Sequence, residues 1–368
     1  MKLSQFDFPL PEELVPLEPL HKRFENEDGT VDKIYQRDAC RLMVIHRKSK
    51  TIEEGHTFRD VVNFFDEGDT FIFNDTRVFP ARLYGTKEKT DAKIEVFLLR
   101  ELNPEYRLWD VLVEPARKIR IGNKLFFDKD GPMVAEVIDN TTSRGRTLRF
   151  LYDCPHDEFK RELYRLGETP LPKYIIDRRE VNLDDEENFQ TIYASKEGAV
   201  TAPATGMHFS REMMKIMEIR GFNFAFITLH CGLGCFDTID VEDLTKHKMS
   251  SEQMVINREA CRIVNETKVA GRRVCAVGVS TVRATETAVG TDGFLKEYDG
   301  WTNKFIFPPY DFGLSNCMIS NFYHPESPMV MIAASFGGYE LVMEAYHQAL
   351  KGGYRFGCFG DAMLIMND

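Results

Sequence analysis

The sequence predicts an α/β protein, a three-layer α/β/α sandwich carrying an inserted small β-barrel. Two observations carry this expectation. From 189 to 365, apolar runs alternate with helix-like stretches, and strands joined by crossover helices make a mostly parallel sheet covered on both faces. From 78 to 152, by contrast, short runs rich in β-branched and aromatic residues follow one another with no helical period between them. That spacing belongs to a small barrel or sandwich. A chain of 368 residues is long for one core and comfortable for two domains. The expected division is a discontinuous sandwich domain, 1–76 with 154–368, and a barrel domain, 77–153.

The elements follow in order. CRLMVIHR, TIEEGHTF, RDVVNFFDEG and DTFIF read as strand, strand, helix and strand. The barrel strands are expected in VFPARLYG, KIEVFLLR, YRLWDVLVE, NKLFF, MVAEVID and RTLRFLY, with turn signals at Asn103-Pro104, Gly122-Asn123, Asp130-Gly131-Pro132 and Arg144-Gly145. The helical period returns in DEFKRELYRLG. RVCAVGVS is a buried strand, and NREACRIVNETKVAG is a helix capped by Asn257 and ended near Gly271. MMKIM reads as helix core, and GGYELVMEAYHQALKGG is a glycine-bounded helix.

Composition excludes several classes. Hydrophobic residues at 43% and charged ones at 29% describe a folded, soluble protein, and no apolar run approaches the roughly 20 residues of a membrane span. The first residues lack a charged start followed by an apolar core, so a cytoplasmic protein is expected. Eight scattered cysteines with no CxxC pair predict reduced, mostly buried thiols. A net charge of −11 disfavours indiscriminate nucleic-acid binding. The barrel is the exception: 77–149 holds 15 Lys+Arg against 11 Asp+Glu, +4, leaving −15 for the remainder. Arg117, Lys118, Arg120, Lys124, Arg144, Arg146 and Arg149 are either a phosphate-contacting cluster or a solvated strand face.

Function is expected where five runs end in small residues with His, Arg, Asn or Asp: TAPATGMHF, TLHCGLGCF, AVGVSTVRATE, MISNF and FGDAMLI. Ligands of α/β sheets bind outside the carboxyl ends of the strands, so five such ends imply one shared pocket.

NDTRVFPARLYG, EVFLLRE, LVEPARKIRIGNKL, TAPATGMHF, TLHCGLGCF, HKMSSE, GWTNKFIFPPY and YRFGCFGDAMLI occur in this order. Together they resemble the S-adenosylmethionine:tRNA ribosyltransferase-isomerase family, the epoxyqueuosine-forming enzymes of queuosine synthesis. The resemblance implies the same architecture and a tRNA substrate. It implies that the ribosyl part of S-adenosylmethionine is transferred to 7-aminomethyl-7-deazaguanine at the wobble position and rearranged, with adenine and methionine leaving. S-adenosylmethionine is then a consumed substrate, and no cofactor or metal is expected. The sulfonium acidifies the adjacent ribose carbon, so the protein must supply a positioned base, a proton donor for adenine and stabilisation of developing charge.

His208 and His230 are the candidates for proton transfer, each set against a structural hydrogen-bonding role. Glu286 and Asp361 join them as catalytic candidates, against an ion pair of Glu286 with Arg283 and a capping role for Asp361. Asn74, Asp75, Thr76 and Arg77 are expected to face substrate at the domain junction, unless they form a hinge turn, with Arg82 beyond them. Pro203, Thr205, Gly206 and Phe209, then Gly232 and Gly234, then Asn321, are expected to line the pocket. Ser280, Thr281 and Arg283 open a helix that would hold a carboxylate or phosphate. A zinc site from His208, His230, Cys231, Cys235 and His247 is the weaker alternative, because CxxxC lacks a second ordered pair. His208→Ala is expected to stop turnover and spare the fold.

The chain also departs from the family pattern. Ala204 and Thr205 are exchanged, Asp237 stands for an arginine, and Asn321 to Pro328 shifts the histidine to His324 after Tyr323 and replaces a lysine with Glu326. Residues 21–36 read as an inserted surface loop. Two alternatives to the transferase follow: a divergent paralogue with altered or lost activity, and a non-catalytic RNA-binding protein centred on the barrel. Oligomeric state stays open.

Overall fold

The computed structural model describes residues 1–25, 31–128, 131, 133–235 and 239–367. Contacts divide the chain into two compact units. The first comprises Met1–Arg77, Glu187–Lys196 and Ala202–Asp368. Its nine-stranded sheet contains β1 (Arg41–His46), β2 (Thr51–Thr57), β3 (Thr70–Asn74), β4 (Asn223–Leu229), β5 (Glu252–Ile256), β6 (Val274–Val277), β7 (Tyr298–Thr302), β8 (Cys317–Asn321) and β9 (Ala362–Met366). The spatial order is β7-β5-β4-β3-β6-β8-β9-β1-β2.

Only β4, β3, β6 and β8 form a continuous parallel block, with β9 and β1 parallel to each other. The other four pairings are antiparallel. The sheet is therefore mixed rather than mostly parallel. The central strands are still apolar on both faces, as double coverage requires: every residue of β3, β6, β8 and β9 is buried.

The helices are α1 (Arg211–Ile219), α2 (Arg258–Val269), α3 (Val279–Ala288), α4 (Pro328–Gly337) and α5 (Tyr339–Lys351). Ser210 and Asn257 cap α1 and α2 by accepting from Met213 N and Ala260 N. Gly271 follows α2 at φ 67°. One core joins Phe71, Phe73, Val277, Ile319 and Leu364 of the sheet to Met213 and Met217 of α1 and to Phe58 and Val61. The other joins Ile72, Ala225 and Ile227 to Val264 of α2 and Ala284 of α3. Successive residues such as Phe71 and Ile72 thus feed opposite layers, giving the expected three-layer arrangement. RDVVNFFDEG forms a 3-10 helix, Phe58–Phe64, opened by a reciprocal Thr57 and Asp60 cap. Within 21–36, where a surface loop was expected, the described strands His21–Glu25 and Val31–Tyr35 pair antiparallel.

The second unit comprises Val78–Glu186 and Glu197–Thr201. Its six strands, Arg82–Lys87, Lys93–Asn103, Leu108–Glu114, Lys124–Phe126, Val134–Asn140 and Gly145–Phe150, close into a barrel. Each matches one expected run. Leu83, Val96, Val111, Leu125, Ala135 and Leu148 fill its interior. The unit extends beyond the 77–153 expected from sequence, because helix His156–Leu166 buries Phe159 and Leu163 and packs Phe159 on Phe150 at 5.3 Å between ring centroids. An amphipathic helix follows its apolar face, which here belongs to the barrel. Of the Asp130-Gly131-Pro132 turn only Gly131 lies within the described residues.

Candidate functional site

The strand register brings the expected groups to one edge of the sheet. Asn74 ends β3, His230 follows β4, Gly278 follows β6 and Asn321 ends β8. Glu252 opens β5, while Asp361 and Cys40 immediately precede β9 and β1, which run the other way. FGDAMLI therefore enters a strand instead of ending one, and TAPATGMHF forms a 3-10 turn, Ala204–His208, that follows no strand of the nine-stranded sheet. Antiparallel strands present their starts where parallel strands present their ends, so Asp361 still reaches the common edge.

Asn74 ties three of these elements together. Its amide donates to Leu229 O at 2.9 Å and Ser280 Oγ at 3.3 Å, and its carbonyl accepts from Leu229 N at 2.9 Å and Thr76 N at 3.2 Å. Thr76 Oγ1 lies 2.8 Å from Nδ1 of the half-buried His230. Asp75 accepts from Thr228 Oγ1 at 2.6 Å and Ser195 Oγ at 3.0 Å. Arg77 is exposed. Asn74, Asp75 and Thr76 thus form a fixed hydrogen-bonded turn at the sheet edge, with His230 attached to it.

His208 has a different setting. It is 3% exposed, with Nε2 3.1 Å from Asn321 Oδ1 and Nδ1 3.3 Å from Cys40 Sγ. Asn321 spends its amide on Gly357 O at 3.0 Å and Cys358 O, so its oxygen must accept and His208 Nε2 must carry the hydrogen. Nδ1 then accepts from the Cys40 thiol. Burial pushes the imidazole pKa down to about 4 against a raising contribution from Asn321, and burial also pushes the Cys40 thiol up. The group is a neutral buried hub, the structural hydrogen-bonding role that was set against proton transfer for His208. Gly206 beside it has no room for a side chain, because a Cβ would collide with the Tyr193 hydroxyl. Pro203 is buried in the same turn.

Several other expected ligands belong to the scaffold. Phe209 is a core residue, edge-on to Phe58 and Phe73 at 5.0 and 4.9 Å. Arg283, fully buried, pairs with the Glu252 carboxylate and donates from Nε to Lys304 O at 3.0 Å. Glu252 also accepts from Gly232 N at 2.7 Å, which fixes the glycine loop after His230. Gly234 faces Ser250. Glu286, in place of an ion pair with Arg283, accepts from Gly313 N at 3.1 Å, Leu314 N at 3.2 Å and Tyr310 Oη at 3.3 Å, anchoring the 310–314 loop. Asp361 accepts from Arg41 N at 3.0 Å and Arg355 N and Nη2 at 2.8 Å each. Burial would raise its carboxyl pKa, but these donors, Arg355 foremost, hold it below the ordinary range. Thr281 donates to Val277 O at 2.8 Å. Glu252, Cys40 and Arg355 were missed from sequence. Glu252 and Arg355 each carried a signal, as the last residue of HKMSSE and the second of YRFGCFGDAMLI.

Arg82 lies in the barrel unit and pairs with Glu95. Of the basic cluster, Arg117, Lys118, Arg120, Lys124 and Arg144 are exposed, the last 3.0 Å from Glu114. Arg146 is 6% exposed and donates to Ala116 O at 2.7 Å, Ile119 O at 3.1 Å and Gly145 O at 2.7 Å. It shapes the 116–119 turn that displays Arg117 and Lys118, and is no surface contact. Tyr323 is buried, and Glu326 is exposed in a left-handed turn at φ 58° before α4, with His324 half-buried. Asp237 lies outside the described residues. Among the described residues no group of three or more His, Cys, Asp or Glu could hold a metal, seven cysteines form no disulfide, and no helix is long and apolar enough to cross a membrane.

A family model described as queuosine biosynthesis protein matches residues 3–365. The S-adenosylmethionine:tRNA ribosyltransferase-isomerases of Phocaeicola vulgatus and Bacteroides fragilis are each 64% identical over 367 residues, covering all of both chains. That of Flavobacterium psychrophilum is 57% identical over 366 residues with the same coverage. The crystal structure of S-adenosylmethionine tRNA ribosyltransferase from Thermotoga maritima is similar at 31% identity and a TM-score of 0.54, covering 99% of this chain and 100% of that one.

Proposed function

This chain belongs to the queuosine biosynthesis protein family, and from that premise we propose how its sheet edge serves the reaction. The protein is a transferase, an S-adenosylmethionine:tRNA ribosyltransferase-isomerase. It moves the ribosyl moiety of S-adenosylmethionine onto 7-aminomethyl-7-deazaguanine at the tRNA wobble position and forms epoxyqueuosine, releasing adenine and methionine. Identity of 64% across the whole of both chains is the observation that carries this, and it favours the transferase over a divergent paralogue or a non-catalytic RNA-binding protein.

His230 is the histidine placed for proton transfer. It is partly open at the sheet edge, and Thr76 at 2.8 Å from Nδ1 orients the ring. His208 acts as a positioning residue that joins the 204–208 turn to Asn321 and Cys40. Asn74, Asp75 and Thr76 line the same edge, and Glu252 with Arg283 holds the Gly232 loop beside it. The exposed barrel cations Arg117, Lys118, Arg120, Lys124 and Arg144 contact tRNA phosphates. The sulfonium supplies its own electron-withdrawing power, so no resident cofactor is required, and a tRNA substrate sets the reaction in the cytoplasm.

The test is incubation with S-adenosylmethionine and tRNA carrying the deazaguanine precursor, before and after treatment with a chelator. Adenine release and the mass of the modified nucleoside are followed. Epoxyqueuosine should form at the same rate in both preparations. Adenine release no faster than in an enzyme-free control would remove the transferase reading, and loss of turnover on chelation would remove the metal-free one.

A further inference from the structure

We propose that Thr205, Ser280 and the first-turn amides of α3 form a buried anion site that takes the carboxylate of the methionine portion of S-adenosylmethionine. This rests on the reading above that S-adenosylmethionine is the substrate. The helix has ten residues and no side-chain cap, since its N-cap is Gly278 at φ 85° and ψ 159°. The first amide bonded back along the chain is Val282 N, to Gly278 O at 3.3 Å, so the N–H groups of Val279, Ser280 and Thr281 lie ahead of the intrahelical ladder. Such a terminus favours negative charge.

The second observation is Thr205. Its side chain is 1% exposed, and its hydroxyl has no hydrogen-bond partner among the described residues. A buried hydroxyl of this kind costs free energy until a partner arrives. A Cβ placed on Gly278 would meet Thr205 Oγ1 at 3.5 Å and Ser280 Oγ at 4.0 Å, with Thr205 Cβ the nearest atom at 3.4 Å. The two hydroxyls therefore border one space of carbon size beside the helix start. Ser280 Oγ already accepts from Asn74 Nδ2 at 3.3 Å, so its own proton is directed elsewhere. Thr281 spends its hydroxyl on Val277 O, and Arg283 is committed to Glu252, so neither contributes. Two hydroxyls and three amides without a cation suit one small monoanion. The burial of Thr205 and Ser280 excludes a polynucleotide phosphate from the same space.

Calorimetric titration with S-adenosylmethionine and with its decarboxylated analogue tests this. The wild-type protein should prefer the carboxylate-bearing ligand, and Thr205→Val should reduce that preference about tenfold while leaving affinity for the analogue unchanged. Thr205→Ser, which keeps the hydroxyl, should retain the preference and so controls for misfolding. An equal loss for both ligands in Thr205→Val, or an undiminished preference, overturns the subsite. A wild-type protein that binds both ligands alike removes the subsite and leaves the substrate reading intact. One that binds neither, with the precursor tRNA present as well as without it, removes the subsite, and the substrate reading is then decided by adenine release.

Discussion

The imidazole of His208 is enclosed by Cys40, Asn321 and the ring of Phe58 at 5.0 Å, and its pKa of about 4 follows from that enclosure. An unfolded histidine titrates near 6.5, so between about pH 6.5 and 4 the unfolded chain binds a proton that the folded one refuses. The stability contributed by the neutral group is present above 6.5 and is lost as pH falls to 4, by up to about 3 kcal/mol. His208→Gln keeps an N–H for Asn321 and should show a flatter loss of stability in acid. Parallel denaturation curves for the two proteins from pH 7 to 5 would contradict this. His230→Ala should instead lower kcat about 10²- to 10⁴-fold with little change in melting, since the half-buried ring carries less packing. Full activity in that variant would remove His230 from proton transfer. Sequence singled out both histidines for proton transfer but could not rank them. Their difference lies in partners remote in the chain, Cys40 and Asn321 on one side and Thr76 on the other.

At the scale of elements, periodicity was a good guide wherever a face was buried and a poor one for pairing. The cap at Asn257 and all six barrel runs were legible, because propensity, turn residues and burial agree there. Strand direction was not, because β8 and β9 are equally apolar whether parallel or antiparallel. Ion-pair partners are no more legible, because proximity in sequence does not decide them: Glu286 stands three residues after Arg283 on α3, yet Arg283 pairs with Glu252 at the start of β5. That buried pair gives a test. Arg283→Met leaves a buried carboxylate without its cation and should cost about 3–5 kcal/mol. Adding Glu252→Gln removes the charge while keeping an acceptor for Gly232 N–H, and the double variant should recover a large part of that loss. Urea unfolding in a Trp109→Phe background follows the sheet unit through Trp301, which lies on β7 next to the Thr302 partner of Glu252. Strict additivity of the two single losses would show that the pair is not coupled.

For the whole molecule, the unequal distribution of charge is the feature that bears on tRNA. A chain of net charge −11 keeps a +4 segment at 77–149, and its exposed cations sit on a small closed barrel whose core excludes them. The buried Arg146 was the misread member of that cluster. Its four carbonyl contacts make it part of the scaffold, a role that no property of the residue alone distinguishes from a phosphate contact. The two roles separate in a salt titration. Each cation that neutralises a phosphate releases counterions, so removing it lowers the slope of log K against log salt by about 0.7–0.9. Arg117→Ala with Lys118→Ala should therefore weaken tRNA binding and flatten the slope by about 1.4–1.8, leaving barrel melting unchanged. Arg146→Lys keeps the charge but loses the guanidinium geometry that reaches Ala116 O and Ile119 O together. It should lower the barrel's melting temperature and weaken tRNA binding through the displaced 116–119 turn. An unchanged slope in the double alanine variant would place the tRNA contact elsewhere, and unchanged melting in Arg146→Lys would show that the turn does not depend on its carbonyl contacts.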